Sequence, residues 1–146
     1  MCKNTNTESY NITRRSAREQ AFILLFEMSF SDDEFSLEQI KENAMDSRDV
    51  EFCDYAVKVA QGVDKNKDEI DEIISSHLKK GWKISRISKV SLAVLRLAIY
   101  EMKYEKDLPF AVSINEAVEL SKEFSIDESG FVNGILGAVS RDLENN

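Results

Sequence analysis

Across 146 residues the chain carries only five glycines and a single proline, Pro109. A fold of many short strands needs frequent tight turns, and glycine and proline supply the backbone angles those turns demand. So few punctuators favour long uninterrupted helices, and the chain is predicted to be all-α. Hydrophobic residues at 42% and charged residues at 32% suit one globular domain with its own core. The most apolar stretches, Ala21 to Phe26 and Val90 to Tyr100, are short or carry Arg96. No run of about 18 uncharged apolar residues occurs, so no membrane span is expected. The opening MCKNTNTESYNIT lacks the apolar centre of a secretory signal, which predicts a cytoplasmic protein. Cys2 and Cys53 fit such a reducing compartment.

Hydrophobic spacing then places the helices. Residues 1–12 have the composition of a flexible tail. Thr13 can cap a helix from about Arg14 to Ser29, with Ala17, Ala21, Leu24, Leu25 and Met28 on its apolar face. Ser36 with Gln39 forms a capping box for a short helix holding Leu37, Ile40 and Ala44. Helical spacing resumes from Arg48 to Gly62 and again from Ile70 to Leu78 before Gly81, as two helices or one bent near Gly62. After a basic connector, Trp82 to Ser88, a helix starting at Val90 is apolar on nearly every side and must be central. Pro109 breaks the chain, and Ser113 with Glu116 reads as a capping box for a helix ending near Ser125. A last helix runs from about Ser129 to Leu143. The expected architecture is six to seven helices in two small helical-bundle subdomains, 13–80 and 81–146, sharing one core.

Charge is segregated along this chain. The formal net charge is −8, yet residues 73–106 carry a net +6. Lys79, Lys80, Lys83, Arg86 and Lys89 crowd around Trp82 there, and a second cluster, Arg14, Arg15 and Arg18, opens the first helix. Any anion-binding face belongs to one of these two places. Three arginines at a helix start oppose the positive end of the helix dipole, and an anionic ligand would relieve that penalty. Arginine's planar fork suits phosphate or base recognition. A solvated basic face, or ion pairing with Glu19, accounts for the same pattern. On the flank of this helix Arg15, Arg18, Phe22 and Phe26 are spaced three, four and four residues apart, so cations run into aromatics. Phe22, Phe26 and Phe131 could stack on single-stranded bases, although core packing explains each as well and is preferred for Phe22.

Catalytic and metal chemistry find little support. His77 is the only histidine, and the cysteines are 51 positions apart without a CxxC pair, so no zinc ligand set can be assembled. No nucleophile, base and orienting group share a recognisable spacing. Gly130, Gly134 and Gly137 lack the lysine and hydroxyl residue of a phosphate loop and read as sites of close helix packing. Arg96 is expected to pair with Glu101 or Glu116. Neither a catalytic residue, a metal nor a cofactor is therefore expected.

Four segments occur in a fixed order: TRRSAREQAFILLFEM at 13–28, RISKVSLAVLRLAIYEM at 86–102, INEAVELSKEF at 114–124 and FVNGIL at 131–136. Together they resemble the NusB family of bacterial transcription antitermination factors. The resemblance implies an all-helical, non-enzymatic RNA-binding protein. It implies recognition of the single-stranded boxA element of ribosomal RNA leader transcripts, together with NusE, a component of the small ribosomal subunit. That pair would join other Nus factors on RNA polymerase to prevent premature termination. By the same resemblance, Arg14, Arg15 and Arg18 contact RNA, with further contacts from Lys122, Ser129 and Phe131. Phe26 and Ser91 are implied to lie by the protein partner.

The chain departs from the family pattern in two places. Gly130 precedes the Phe of FVNG where many members carry a basic residue, and Ser91 and Leu92 stand where an acidic and a basic residue are common. A competing reading is a helical protein-interaction module, for example a homodimer covering the arginine ridge, that binds no RNA. A third, the front end of an RNA methyltransferase, lacks a glycine-rich cofactor domain in this sequence.

Overall fold

The computed structural model describes residues 2–3, 11–12, 14–30 and 52–145. They form α1 (Arg14–Met28), α2 (Asp54–Lys65), α3 (Lys67–Ser76), α4 (Lys89–Tyr104), α5 (Phe110–Phe124) and α6 (Ser129–Glu144). Short 3₁₀ turns at Ile84–Arg86 and Ile126–Glu128 precede α4 and α6. The fold is all-helical, as expected, apart from a two-residue antiparallel ladder pairing Cys2 with Ile12 and Lys3 with Asn11. The expected Thr13 cap and the helix around Leu37, Ile40 and Ala44 fall outside the described residues.

The chain divides into two compact units, Met1–Gly62 and Val63–Asn146. Within the second unit α3 is tied to the helices that follow it. Arg96 of α4 donates from Nε and Nη2 to the two carboxylate oxygens of Asp71 on α3, both at 2.8 Å. Asp71 therefore replaces the expected Glu101 and Glu116. This bidentate pair is only partly exposed, which preserves more of its electrostatic strength than a surface pair retains. His77, just past α3, hydrogen-bonds Asp142 of α6.

In the first unit, Ala17, Ala21, Leu24 and Leu25 are buried as their spacing predicts, and Phe22 joins them. Phe52, Cys53, Ala56, Val59 and Ala60 are buried as well. The Gln20 side-chain oxygen accepts the Cys53 backbone N–H at 2.7 Å, a donor just ahead of α2 that intrahelical bonding leaves open. The helical break after α2 falls at Asn66, not Gly62. Asn66 takes φ −109° and ψ 20°, a turn-like conformation for which Asn is well suited, whereas a helix tolerates one Gly at a cost of about 1 kcal/mol.

The second unit is organised around α4, in which ten of sixteen residues are buried, too many for a one-sided surface helix. Ser88 caps it by accepting the Ser91 N–H at 3.1 Å. α5 begins at Phe110 behind Pro109, one turn before the expected Ser113 cap. Proline's fixed φ sets the helix entry earlier. Ser113 is instead an interior, fully buried residue whose hydroxyl has no partner.

Candidate nucleic-acid interface

α1 opens with two arginines and has no acidic residue in its first turn. Cations therefore stand at the end where unpaired N–H groups already make the backbone positive. Arg14 and Arg15 are exposed, but Arg18 is only 5% exposed and is engaged within the fold. The spacing that suggested a continuous cation-to-aromatic ridge thus dips inward at Arg18 and Phe22. It surfaces again at half-buried Phe26, whose ring stacks on Phe22 at 5.9 Å. Phe30, four residues further on, meets Phe26 edge to face at 4.8 Å and is 61% exposed. The continued i, i+4 spacing of 22, 26 and 30 is the sequence signal that could have singled Phe30 out.

In the second unit, Lys122 occupies the last turn of α5 and Ser129 and Phe131 the first turn of α6. Lys122 is exposed, with Glu119 3.6 Å away on an equally exposed carboxylate, a contact of little energetic weight. The Ser129 hydroxyl donates to the Ile126 carbonyl at 3.1 Å, which closes the 3₁₀ turn onto α6. Half-buried Phe131 faces Trp82 with 6.3 Å between ring centres.

Ser91 sits in the first turn of α4. It is 0% exposed, and its hydroxyl donates to Glu128 Oε1 at 2.6 Å. Glu128 also accepts from Ser88 on the same oxygen and from Ser125 on the other, at 3.0 Å. One carboxylate thereby joins the start of α4, the end of α5 and the approach to α6. Burial pushes the Glu128 carboxyl upward, but the hydroxyls of Ser88, Ser91 and Ser125 outweigh it and hold it below its ordinary value. This junction positions Ser129 and Phe131, and local spacing offered no sign of it.

Beside Ser129 an open groove of about 440 Å³ runs between α5 and α6, lined by Ala111, Ile114, Asn115, Val118, Gly130 and Asn133 as well. Two side-chain amides over an apolar floor can hydrogen-bond a base edge while its face rests on aliphatic carbon. The glycines of α6 do not serve close packing as expected. A Cβ added at Gly130 or Gly134 would meet nothing within 4 Å, and at Gly137 only the tip of Arg141 at 3.6 Å. Among the described residues no group of three or more His, Cys, Asp or Glu side chains could hold a metal ion. None of the described helices is long and apolar enough to cross a membrane.

The chain matches the NusB family over residues 15–141. It is 50% identical over 129 residues to the transcription antitermination protein NusB of Acetivibrio thermocellus, covering 86% of this chain and 87% of that one. The chain belongs to the NusB family. NusB from T. maritima has a similar structure, with a TM-score of 0.77, 39% identity, and coverage of 90% of this chain and 93% of that one. A NusB crystallised with NusE and dsRNA is also similar, with a TM-score of 0.74, 26% identity, and coverage of 88% and 96%. The family match takes in all the predicted site residues except Arg14, which lies one residue before its start.

Proposed function

We propose that this NusB-family protein is a transcription antitermination factor that binds boxA-type single-stranded RNA of ribosomal RNA leader transcripts together with NusE. It acts in the bacterial cytoplasm as an adaptor without catalytic activity, within the antitermination complex on RNA polymerase. The observation that carries this reading is family membership across nearly the whole chain, including likeness to a NusB crystallised with NusE and dsRNA. Exposed Arg14 and Arg15 neutralise phosphates from a helix end whose dipole already favours anions. Buried Arg18 acts as a positioning residue for that turn. Lys122, Ser129 and Phe131 form the contacts of the second unit, with Phe131 offering a face for base stacking. Phe26, extended by Phe30, supplies an aromatic edge to the protein partner, and Ser91 supports its own surface from beneath.

Fluorescence anisotropy with a boxA RNA, a scrambled strand and a boxA duplex, across a salt series with and without NusE, tests the reading. Preference for single-stranded boxA that strengthens with NusE and weakens with salt is expected. Equal or absent binding to all three would overturn it and leave a protein-only module or homodimer.

A further inference from the structure

The basic connector between α3 and α4 is not used by the contacts described above. Lys79, Lys80, Lys83, Arg86 and Lys89 are all exposed, and among the described residues the first four make no ion pair. Trp82 sits in their midst and is 50% exposed. The backbone around it is well defined. Its N–H closes a turn onto the Lys79 carbonyl at 2.9 Å, with Gly81 in the third position at φ +89°, where a side chain would be strained. One end of the connector is held by His77 on Asp142 and the other by Ser88 on Glu128, with Ile87 buried between. The indole is thus displayed on a fixed support beside the Phe131 ring.

An exposed tryptophan flanked in the chain by Lys79, Lys80, Lys83 and Arg86 suits a polyanion with flat, stackable groups. Stacking and phosphate neutralisation are what single-strand binding sites combine, and residues 73–106 are net positive in an otherwise acidic chain. We propose that the Trp82 connector is a second single-stranded RNA subsite that continues the track from Phe131. The indole stacks a base flanking the boxA element, and Lys79, Lys80, Lys83 and Arg86 neutralise the adjoining phosphates. This rests on the RNA-binding reading and adds to it a contact outside the boxA sequence.

The test compares a boxA RNA with the same RNA lengthened at either end by about eight unstructured nucleotides, within the span single-strand sites cover. Lengthening at one end is expected to tighten wild-type binding about tenfold, in line with one stacked base and its phosphates. Trp82→Ala should lose most of that gain, and Trp82→Phe should keep most of it. The triple variant Lys79→Gln, Lys80→Gln, Lys83→Gln should flatten the salt dependence for the long RNA by about 2 log units per log unit of salt, from about 0.7 per phosphate. Binding to the short boxA RNA should be nearly unchanged in the triple variant, since the three lysines lie outside the contacts assigned to boxA. If wild type binds boxA RNA but neither extension tightens it, or the gain survives Trp82→Ala and the triple variant, the inference falls while the RNA-binding reading stands. Failure of wild type to bind any of the RNAs would bring down both. An acidic peptide bound by wild type and lost in Trp82→Ala, with no gain from RNA length, would assign the patch to a protein and overturn the inference.

Discussion

The start of α1 and the junction of α4, α5 and α6 both rest their contact groups on an ionisable side chain held by the fold, but in opposite ways. At α1 the buried group is Arg18, of the same sign as exposed Arg14 and Arg15. At the junction the group is half-buried Glu128, an anion satisfied by three neutral hydroxyls, at the turn that carries Ser129 and Phe131. The first arrangement concentrates positive charge where the helix backbone is already positive. It makes a strong anion focus that depends on Arg18 staying engaged. The second fixes three chain segments in place through hydrogen bonds to one carboxylate. The lesson is that charge supplies attraction at one site while a hydrogen-bonded carboxylate supplies shape at the other.

Removing the buried cation should have the largest effect. Arg18→Ala deletes both a buried aliphatic stem and a buried charge, and is expected to cost about 2–4 kcal/mol in urea unfolding. Arg15→Ala, at an exposed position, should stay within about 0.5 kcal/mol. Equal losses from the two variants would break the distinction between anchor and contact.

Removing the exposed pair should act on RNA instead. The double variant Arg14→Ala, Arg15→Ala is expected to weaken boxA binding about tenfold, roughly 1.4 kcal/mol. Its salt dependence should flatten by about 1.4 log units per log unit of salt, from about 0.7 for each phosphate released. An unchanged slope in the anisotropy titration would remove these arginines from the RNA contact.

How much of this was legible in the sequence follows from what is local. The final helix was readable to within a residue, Ser129 to Leu143 against Ser129–Glu144, because apolar spacing reports each turn on its neighbours. The centrality of α4 was equally plain from its all-round apolar character. Arg96 was recognisably an ion-pair residue, but its partner, Asp71, is 25 positions away, and nothing in local spacing selects it over Glu101 or Glu116. Arg15 and Arg18 looked alike as sequence, and only packing separates an exposed cation from an enclosed one. Glu128 was invisible for the same reason, since its hydroxyl donors come from two other segments.

The junction should respond more gently, because neutral glutamine keeps some of the acceptor capacity of Glu128. Glu128→Gln is expected to lower stability by about 1 kcal/mol at neutral pH, with one or more of its hydroxyl donors weakened. The pH dependence has a definite sign. The folded-state pKa of Glu128 is lowered from the usual 4.5. Its contribution is therefore fully present above about that value and lost as pH falls through the lowered one. Urea midpoints taken between about pH 6 and pH 3 should show a shallower acid decline in the variant than in wild type. Parallel curves would mean that Glu128 does not carry the acid sensitivity of the junction.

The smallest effect is expected on the face that the junction presents, and it is a gain. Gly134 is exposed inside α6, and an added Cβ would meet no atom within 4 Å. A helix-interior glycine costs about 0.5–1 kcal/mol relative to alanine, so Gly134→Ala should raise the unfolding free energy by about that amount. Nothing within the described fold repays this cost, in contrast to Glu128, whose hydrogen bonds offset its partial desolvation. Anisotropy with boxA RNA and NusE shows whether a bound partner needs the bare backbone. Stabilisation with weakened assembly would mark the α6 face as an approach surface, and stabilisation with unchanged assembly would confine contacts to Lys122, Ser129 and Phe131. A variant no more stable than wild type would show that the open space around Gly134 is filled in solution, and would erase the contrast between a tightly held junction and an unpacked face.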